Sequence, residues 1–303
     1  MFDLFYHPIY TYGIDKNSRF PRSRYILTRE SLDRLDLKIN IKQPQKAKLK
    51  DIYLAHDKIF VDSFLNGSLT KKEKRRIGLQ PWNGHIVDRT RYIIGGSIQA
   101  LKSAVNRNNI AGNMAGGTHH AHFSFGSGYC IFNDLAICAI KSINDYKRIN
   151  NVLIIDLDVH QGDGTASILK NHKNIFTFSM HCENNFPLKK MKSDLDVPLM
   201  KGLKDEDYLN ILYSNIKILN NVKWDLILFQ AGVDILINDS LGYLEISREG
   251  IKRRNEIILS LAKKKNLPLV VFMGGGYSKP IKYSVNAFTD LFIQCSESAK
   301  NFK

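Results

Sequence analysis

The strongest constraint on the fold is the alternation of short apolar runs with helical patterns in the last two thirds of the chain. From about Asn109 onward, each apolar run is followed by a Gly- or acid-rich turn and then by a helical pattern. Strands that alternate with helices in this way predict a parallel sheet with helices on both faces. The predicted strands are Ile110–Ala115, Val152–Asp156, Ile175–Ser179, Leu226–Gln230 and Leu267–Met273.

Helical patterns fill the segments between these strands and most of the first hundred residues. Ser247 is a candidate N-cap, and three lysines end the same pattern, which suits the C-terminus of a helix. We expect residues 1–108 to be mostly helical and to pack on the sheet without forming a separate domain. The predicted helices are Leu49–Leu65, Asp88–Ala104, Asp134–Asn144, Asp205–Leu219 and Ser247–Lys265.

The chain is basic, with a net charge of +15 and a pI near 9.5 over 303 residues. Such a charge indicates either a polyanionic partner or a lysine-rich, solvated surface. The densest basic run, "KKEKRR" at 71–76, includes an acid and leads into Ile77, which predicts the exposed face of a helix. Because no aromatic residues are interleaved with a basic stripe, we find no clear nucleic-acid motif and favour the solvated surface.

Composition also narrows the cellular setting. No apolar run is long enough to span a bilayer, and the first residues lack the basic segment of a signal peptide. Four scattered cysteines form neither a CxxC pair nor a dense disulfide framework. We therefore expect a cytoplasmic protein without a transmembrane segment, with secretion by a signal-independent route left open. No sequence feature indicates an oligomeric state.

Polar residues collect where the apolar runs stop. The carboxyl ends of parallel strands face one crevice, which is where ligands bind in open α/β sheets. We therefore expect these segments to bring histidine, aspartate, serine and tyrosine side chains to one place. The segments are "GGTHH" (116–120), "DLDVHQGD" (156–163), "SMHCE" (179–183), "QAGVD" (230–234) and "GGGY" (274–277).

The "DLDVHQGD" segment predicts a metal site. In extended chain Asp156, Asp158 and His160 share one face, and so many charged groups are costly there unless a cation lies among them. Asp158 and His160 are ligand types that zinc accepts, and Asp234 is the natural third ligand. Three protein ligands leave the open position of a catalytic zinc. The alternative is that Asp158 and His160 merely cap a turn.

Two adjacent histidines supply candidate acid–base groups. Asp156 and Asp163 are carboxylates that can orient His119 and His120, which makes two His–Asp dyads. One dyad would take a proton from water, and the other would stabilise charge or assist the leaving group. His122 fits neither dyad and is predicted to be structural.

The triple glycine before Tyr277 is not a phosphate loop, because neither a Lys-Ser/Thr pair nor a GxGxxG pattern accompanies it. A flexible backbone here would instead bring Tyr277 close to the metal. Its hydroxyl would then donate a hydrogen bond to an oxyanion.

These motifs resemble the zinc-dependent histone deacetylase family. "GGTHHA", "GYCIFND", "DLDVHQGDGT", "FQAGVD" and "GGGY" occur in the order and spacing of that family, while "HPIY" and "RRIGLQPW" resemble its compact bacterial and class IV members. The resemblance implies the arginase/deacetylase fold, a single three-layer α/β/α domain over residues 1–303 with a mainly parallel central sheet. It also implies one catalytic zinc ion on Asp158, His160 and Asp234.

Further roles follow from the same resemblance. It implies that His119 pairs with Asp156, that His120 pairs with Asp163, and that Tyr277 polarises the acyl carbonyl. It implies a structural potassium ion near Asp156, Asp158, His160, Ser179 and Met180. The acyl-lysine tunnel is expected to be formed by Gly128, Tyr129, Phe186, Leu241 and Gly275. An arginine that lines the product-exit channel in many relatives has the candidates Arg19, Arg22 and Arg24.

The implied activity is zinc-dependent hydrolysis of acyl groups, acetyl or longer, from lysine side chains of proteins or peptides. An acetylpolyamine or another small amide is the alternative substrate. A two-metal ureohydrolase is disfavoured because the apolar residues Ile235 and Leu236 follow Asp234, where a second metal would need ligands. A catalytically silent acyl-lysine binder is disfavoured because every expected catalytic residue type is present.

Overall fold

An eight-stranded sheet forms the centre of the computed structural model, which describes residues 1–300 and Phe302. Every neighbouring pair of strands is parallel, and the order across the sheet is β2-β1-β3-β8-β7-β4-β5-β6. The strands are β1 Phe2–Phe5, β2 Ile39–Lys42, β3 Ile110–Asn113, β4 Val152–Asp156, β5 Ile175–Cys182, β6 Leu195–Leu199, β7 Leu226–Gln230 and β8 Leu269–Phe272.

Helices flank this sheet and complete a three-layer α/β/α architecture. The longest, α6, packs against β1, β3 and β8, and α11 packs against β1 and β3. The helices are α1 Ile9–Tyr12, α2 Ser23–Asp33, α3 Leu49–Ile52, α4 Lys58–Leu65, α5 Lys71–Ile77, α6 Gly84–Arg107, α7 Asp134–Asp145, α8 Asp163–Leu169, α9 Asp205–Leu219, α10 Arg248–Lys265 and α11 Lys282–Lys300.

The central strands are buried along their whole length, which explains their uninterrupted apolar sequences. Every residue of β3, β4, β7 and β8 is buried, as expected for parallel strands covered on both faces. Burial of each large aliphatic side chain contributes about 1.5–3 kcal/mol. This rigid centre holds the loops that leave its carboxyl edge.

The central strands were predicted from the sequence, whereas three other strands were not. Strands β1 and β2 have four residues each and lie in a mostly helical region, so they leave little periodic signal. Strand β6 contains Pro198 and lies at the edge of the sheet, where a missing N–H donor is tolerated. Strand β5 continues to Cys182, three residues past its predicted end at Ser179, so Met180 lies within the strand.

The predicted helix Leu49–Leu65 is two helices. Residues 53–57 interrupt it, and the Asp57 side chain caps α4 by accepting a hydrogen bond from the Ile59 N–H. The predicted N-cap at Ser247 is confirmed, because its hydroxyl accepts from the Gly250 N–H.

The basic run "KKEKRR" forms helix α5, with its charged side chains on the outside. Thr70 and Glu73 form a capping box at its start, and Ile77 is its buried residue. This confirms the prediction of an exposed helix face. Among the described helices, none is both long and apolar enough to cross a membrane.

Candidate active site

The loops after four central strands meet at the carboxyl edge of the sheet. Strand β3 leads to the paired histidines, β4 to "LDVHQGD", β7 to Asp234 and β8 to the triple glycine. The loops enclose a cavity of about 570 Å³, whose wall includes His119, His120, Asp158 and His160. Four of the five predicted polar segments therefore meet at this edge, whereas the fifth, residues 179–183, contributes no side chain to the cavity wall because most of it belongs to β5.

Asp158, His160 and Asp234 lie together and are buried, with one potential ligand atom from each residue within 4.8 Å of the others. The His160 Nδ1 atom is 3.0 Å from Asp158 Oδ1 and 3.1 Å from Asp234 Oδ2. In the part of the chain that the structure describes, no other three His, Cys, Asp or Glu residues are grouped in this way. The residues predicted from sequence as a metal site thus form one cluster.

Neighbouring donors orient both carboxylates. Asp158 Oδ2 accepts hydrogen bonds from Gln230 Nε2 at 2.7 Å and from the Gly275 N–H at 2.9 Å. Asp234 Oδ1 accepts from the Val159 N–H at 3.0 Å. Each carboxylate therefore keeps its other oxygen directed at His160. Such supporting bonds fix the geometry of metal ligands.

Gly275 has no room for a side chain. A Cβ atom there would lie 2.1 Å from Asp234 Oδ2 and 2.7 Å from Asp158 Oδ2, so the backbone can approach the cluster only as glycine. Gly275, predicted as a substrate-binding residue, thus also donates a hydrogen bond to a residue of the cluster. Gln230 had no predicted role. As a polar residue at the end of an apolar strand, it could have been predicted from the sequence to contact the site.

The electrostatics of the cluster suit a cation. Burial and the neighbouring carboxylate of Asp158 raise the pKa of Asp234 to about 7. Burial opposes the charged form of His160, but the two carboxylates outweigh it and raise the pKa of His160 to about 10. Two carboxylates and one imidazole are ligand types that zinc uses, and a divalent ion would relieve the carboxylate repulsion. The residues present therefore fit a zinc ion.

The two predicted His–Asp dyads are both formed. His119 Nδ1 lies 2.7 Å from Asp156 Oδ2, and His120 Nδ1 lies 2.6 Å from Asp163 Oδ1. All four residues are buried. Because each Nδ1 atom is engaged by a carboxylate, the Nε2 atom of each ring is left for substrate or water.

The two histidines differ in charge. Burial opposes the charged form of His119, but Asp156 and Asp158 outweigh it and raise the pKa of His119 to about 9. Burial and the positive charge of His119 lower the pKa of His120 to about 4, despite the carboxylate of Asp163. In the metal-free site the neighbouring groups therefore favour the charged form of His119 and the neutral form of His120.

His122 is part of this hydrogen-bond network. Its Nε2 atom lies 3.1 Å from Asp163 Oδ2, so Asp163 contacts two histidines. Burial favours the neutral form of Asp163, but these two hydrogen bonds outweigh it and hold its pKa well below the usual value. The prediction that His122 fits neither dyad was wrong, since sequence spacing gave no means of relating it to Asp163.

Asp134 holds the turn that carries the paired histidines. Its carboxylate accepts hydrogen bonds from the Gly117 and Thr118 N–H groups at 3.2 and 2.9 Å and from the Ser97 hydroxyl at 2.6 Å. Sequence reasoning assigned Asp134 to the start of a helix without this role.

His56 fastens the same loop from outside the cavity. Its Nε2 atom accepts a hydrogen bond from the Asn133 N–H at 2.7 Å, and its Nδ1 atom lies 3.0 Å from the His122 carbonyl oxygen. Both contacts require the neutral ring with its proton on Nδ1. Burial accordingly lowers the pKa of His56 to about 4.

We expect His56 to make the protein less stable in mild acid. The imidazole of His56 takes up a proton near pH 6.5 in the unfolded chain but only near pH 4 in the folded chain. The free energy of unfolding therefore falls as the pH drops between these values. In His56→Gln this fall should be smaller by up to about 3 kcal/mol. Urea unfolding at several pH values measures the slopes. The exposed His85→Gln is the control, and equal slopes for the wild type and His56→Gln would contradict the assignment.

Tyr277 is positioned through its backbone. Its N–H donates to Asp239 Oδ2 at 2.6 Å, while Asp239 Oδ1 accepts from the Leu241 and Gly242 N–H groups at 2.8 and 3.0 Å. Asp239 therefore links the tyrosine to the cavity mouth. Burial raises the pKa of Tyr277 well above its usual value, so its hydroxyl remains a proton donor. Within residues 1–300 and Phe302 that hydroxyl has no hydrogen-bond partner and is available to a ligand.

All five predicted tunnel residues line the cavity, and Gly275 among them lies against the Asp158 and Asp234 carboxylates. The Phe186 ring lies 4.8 Å from the His120 ring, and the Tyr129 ring lies 5.9 Å from the Tyr277 ring, measured between centroids. Leu241 is 40% exposed and lies at the mouth. A Cβ atom on Gly128 would lie 2.7 Å from His120 Cδ2, so a side chain there would obstruct this passage.

The remaining sequence predictions concern potassium, arginine and cysteine residues. Asp156 on β4 lies opposite Ser179 on β5, which brings these two predicted potassium ligands onto neighbouring strands.

Of the three candidate arginines, Arg24 lies in the cavity wall. Arg22 instead donates to backbone carbonyl groups of α1 and its loop. Cys130 also lines the cavity, and burial raises the pKa of its thiol well above the usual value.

Comparisons with known proteins identify the family of the chain. Residues 18–291 match the sequence pattern of the histone deacetylase domain family. An uncharacterized protein of Picosynechococcus is 42% identical over 283 residues, which cover 92% of this chain and 93% of that protein. Histone deacetylase 2 of Arabidopsis thaliana is 31% identical over 248 residues, which cover 79% of this chain and 64% of that protein.

A solved structure shares the fold. The crystal structure of a histone deacetylase homologue from Aquifex aeolicus superposes with a TM-score of 0.82 at 21% identity, over 98% of this chain and 84% of that one. At this identity the similarity establishes the arginase/deacetylase architecture alone. Together with the domain match over residues 18–291, it leads to one conclusion: the chain belongs to the histone deacetylase family of hydrolases.

Proposed function

We propose that this protein is a zinc-dependent hydrolase that removes acyl groups from lysine side chains of proteins or peptides. The observation that carries the proposal is the grouping of Asp158, His160 and Asp234 beside two His–Asp dyads in one narrow cavity. Bound there, zinc would act as a Lewis acid that polarises the acyl carbonyl and makes a water molecule more acidic.

His120 is the proposed general base. Its imidazole is neutral at physiological pH, its Nδ1 proton is held by Asp163, and its Nε2 atom is left to take a proton from the attacking water. As the C–N bond breaks, the same proton can pass to the lysine amine. Asp163 stabilises the imidazolium that exists between these two transfers.

His119 and Tyr277 are proposed to stabilise the negative charge that develops on the carbonyl oxygen. Asp156 favours the protonated form of His119 next to the cluster, and the Tyr277 hydroxyl is a protonated donor without another partner in the described residues. Donors fixed before the reaction are worth most in a buried site from which water is excluded. No nucleophilic serine or cysteine is needed, and the thiol of Cys130 stays protonated.

The shape of the cavity supports a lysine side chain as the substrate group. Tyr129 and Phe186 form an aromatic passage that suits the four methylene groups of lysine, and Gly128 leaves space between them. A small acylated amine such as an acetylpolyamine presents the same methylene chain and remains the alternative substrate.

The function is tested with the zinc-loaded protein and peptides that carry acetyl-, butyryl- or longer acyl-lysine. We expect release of the free lysine peptide, and loss of turnover in Tyr277→Phe by about 100-fold. Acetylated polyamines are assayed in parallel. If acetylated polyamines are hydrolysed and no peptide is, a small amide is the substrate instead of an acyl-lysine peptide. If neither is hydrolysed, the proposed hydrolase activity is wrong.

We expect Gly128→Ala to displace the rings of His120 and Phe186 without disturbing the metal site. Its Cβ atom would lie 2.7 Å from His120 Cδ2 and 3.1 Å from Phe186 Cε1, so both the general base and the passage are affected and kcat/KM for acyl-lysine peptides should fall by about 10–100-fold. Zinc content should stay at the wild-type level. Gly84→Ala is the matched control, because a Cβ atom there meets nothing within 4 Å. Wild-type turnover in Gly128→Ala would mean that the substrate does not pass this point.

We also propose a structural potassium ion held by oxygen atoms of Asp156, Asp158, His160, Ser179 and Met180. The pairing of Asp156 with Ser179 across β4 and β5 supports it. Potassium chloride should then raise the melting temperature relative to lithium chloride at equal ionic strength, and Ser179→Ala should reduce this difference. The same melting temperature in both salts would contradict the proposal.

A further inference from the structure

The inner end of the cavity contains two buried arginines. Arg24 on α2 and Arg89 on α6 are 3% and 4% exposed, and both line the same cavity as Asp158 and His160. They approach each other through Tyr25, whose hydroxyl oxygen accepts a hydrogen bond of 3.2 Å from each guanidinium. Because that oxygen accepts from both, its own proton is left for another acceptor.

Neither arginine has a carboxylate partner among the described residues. Arg24 donates otherwise to the Gly276 carbonyl at 3.0 Å, and Arg89 donates otherwise to the Tyr10 carbonyl at 3.0 Å. The buried Nε atom of Arg24 has no partner at all in residues 1–300 and Phe302. Two buried like charges with unused donors are costly unless an anion compensates them.

A third buried arginine shows how this chain satisfies a purely structural guanidinium. Arg254 is fully buried, and each of its three nitrogen atoms donates to an acceptor: backbone carbonyls of Leu157, Ala231 and Gly232 and the Asn255 side chain. It does not line the cavity. Arg24, which lines the cavity, thus differs from Arg254 in having a buried nitrogen without a partner among the described residues.

Arg24 lies beside the proposed reacting group, and Tyr25 joins it to Arg89. The Arg24 guanidinium carbon is 5.4 Å from the centre of the Tyr277 ring, and its acceptor Gly276 precedes that tyrosine in the chain. A lysine amide that enters past Tyr129 and Phe186 and places its carbonyl at Tyr277 would direct its acyl group away from the mouth. The end of a short acyl chain would therefore approach Arg24 and Arg89.

From this placement we propose that the inner cavity recognises acyl groups that end in a carboxylate, such as succinyl- or glutaryl-lysine. The proposal rests on the proposed function and specifies its substrate class. Planar guanidinium groups match a carboxylate through paired N–H donors, and the Tyr25 hydroxyl adds a third donor. The reaction is hydrolysis: water adds to the acyl carbon, the C–N bond breaks, the amine takes the proton, and a dicarboxylate leaves.

The same groups disfavour a long alkyl chain. Methylene groups placed against Arg24 and Arg89 would bury two guanidinium groups further without supplying a hydrogen-bond acceptor. We therefore expect short charged acyl groups to be preferred over long apolar ones.

The test compares succinyl-lysine and succinamoyl-lysine in one peptide sequence, since these acyl groups differ only in carboxylate against neutral amide. The zinc-loaded wild type should favour succinyl by about tenfold or more in kcat/KM, and Arg89→Gln should lose most of that ratio. A ratio taken within one preparation is independent of the folded fraction. Arg91→Gln is the matched control, because Arg91 lies on the same helix but donates to Ala47 outside the cavity.

A binding measurement separates this inference from the proposed function. Calorimetry with free succinate, acetate and succinamide should detect succinate binding to the wild type, weakened about tenfold or more in Arg89→Gln. Cleavage of acetyl- or butyryl-lysine with no preference for succinyl over succinamoyl would overturn the inference and leave the function standing. If no peptide is cleaved, succinate binding that needs Arg89 would still support the anion site. Absence of such binding, or equal binding of acetate and succinate, would overturn it.

Discussion

Asp158→Asn is expected to remove zinc binding and to lower kcat/KM on acyl-lysine peptides by about 1,000-fold or more. Asp158 directs one carboxylate oxygen at the cluster, and its other oxygen accepts hydrogen bonds from Gln230 and Gly275. Among the described residues, no other group of three potential ligands could bind the metal in place of this cluster. An amide is a weaker metal ligand than a carboxylate, and the Lewis-acid contribution is worth several kcal/mol.

Zinc content and turnover are measured on the same preparation. Asp207→Asn makes the same chemical change on the exposed surface of α9 and should match the wild type in both. Near-ultraviolet circular dichroism checks that the variant is folded. Full activity in a folded Asp158→Asn protein would show that this cluster does not hold the catalytic metal.

His120→Gln is expected to lower kcat by about 10²–10⁴-fold. The neighbouring His122 is a demanding control, because it contacts the same carboxylate from the other oxygen yet does not line the cavity. His122→Gln should therefore lose far less activity than His120→Gln. Since glutamine cannot act as a base, the loss in His120→Gln should be in kcat more than in KM.

The pH dependence adds a second readout for His120. Burial and His119 lower the pKa of His120 to about 4, so the base stays neutral and the rate should not fall between pH 7 and pH 5 through its protonation. Equal losses in the two histidine variants would instead mean that Asp163 and its partners only hold the loop.

The residues of the site could be predicted from the sequence, whereas most of the contacts that hold them in place could not. Asp158, His160, Asp156 and Asp163 lie in one short segment, where a strand and the turn after it determine their arrangement. Asp234 could be added because its own strand ends at the same edge of the sheet.

Contacts between distant parts of the chain could not be predicted in this way. Arg24 meets Gly276 across 252 positions, and Asp239 meets Tyr277 across 38. Both pairings depend on how loops and helices pack around the sheet, which periodicity does not encode. The edge strands β2 and β6 and the short strand β1 beside β2 were missed for the related reason that short strands are defined by their neighbours.

The central claim is that one zinc ion held by Asp158, His160 and Asp234 makes this chain an acyl-lysine hydrolase. The most direct test is to titrate metal-free protein with zinc while the hydrolysis of an acyl-lysine peptide is followed. We predict that activity rises linearly and reaches its plateau at one zinc ion per chain. Full activity before zinc is added, or a plateau that requires two ions per chain, would contradict the account.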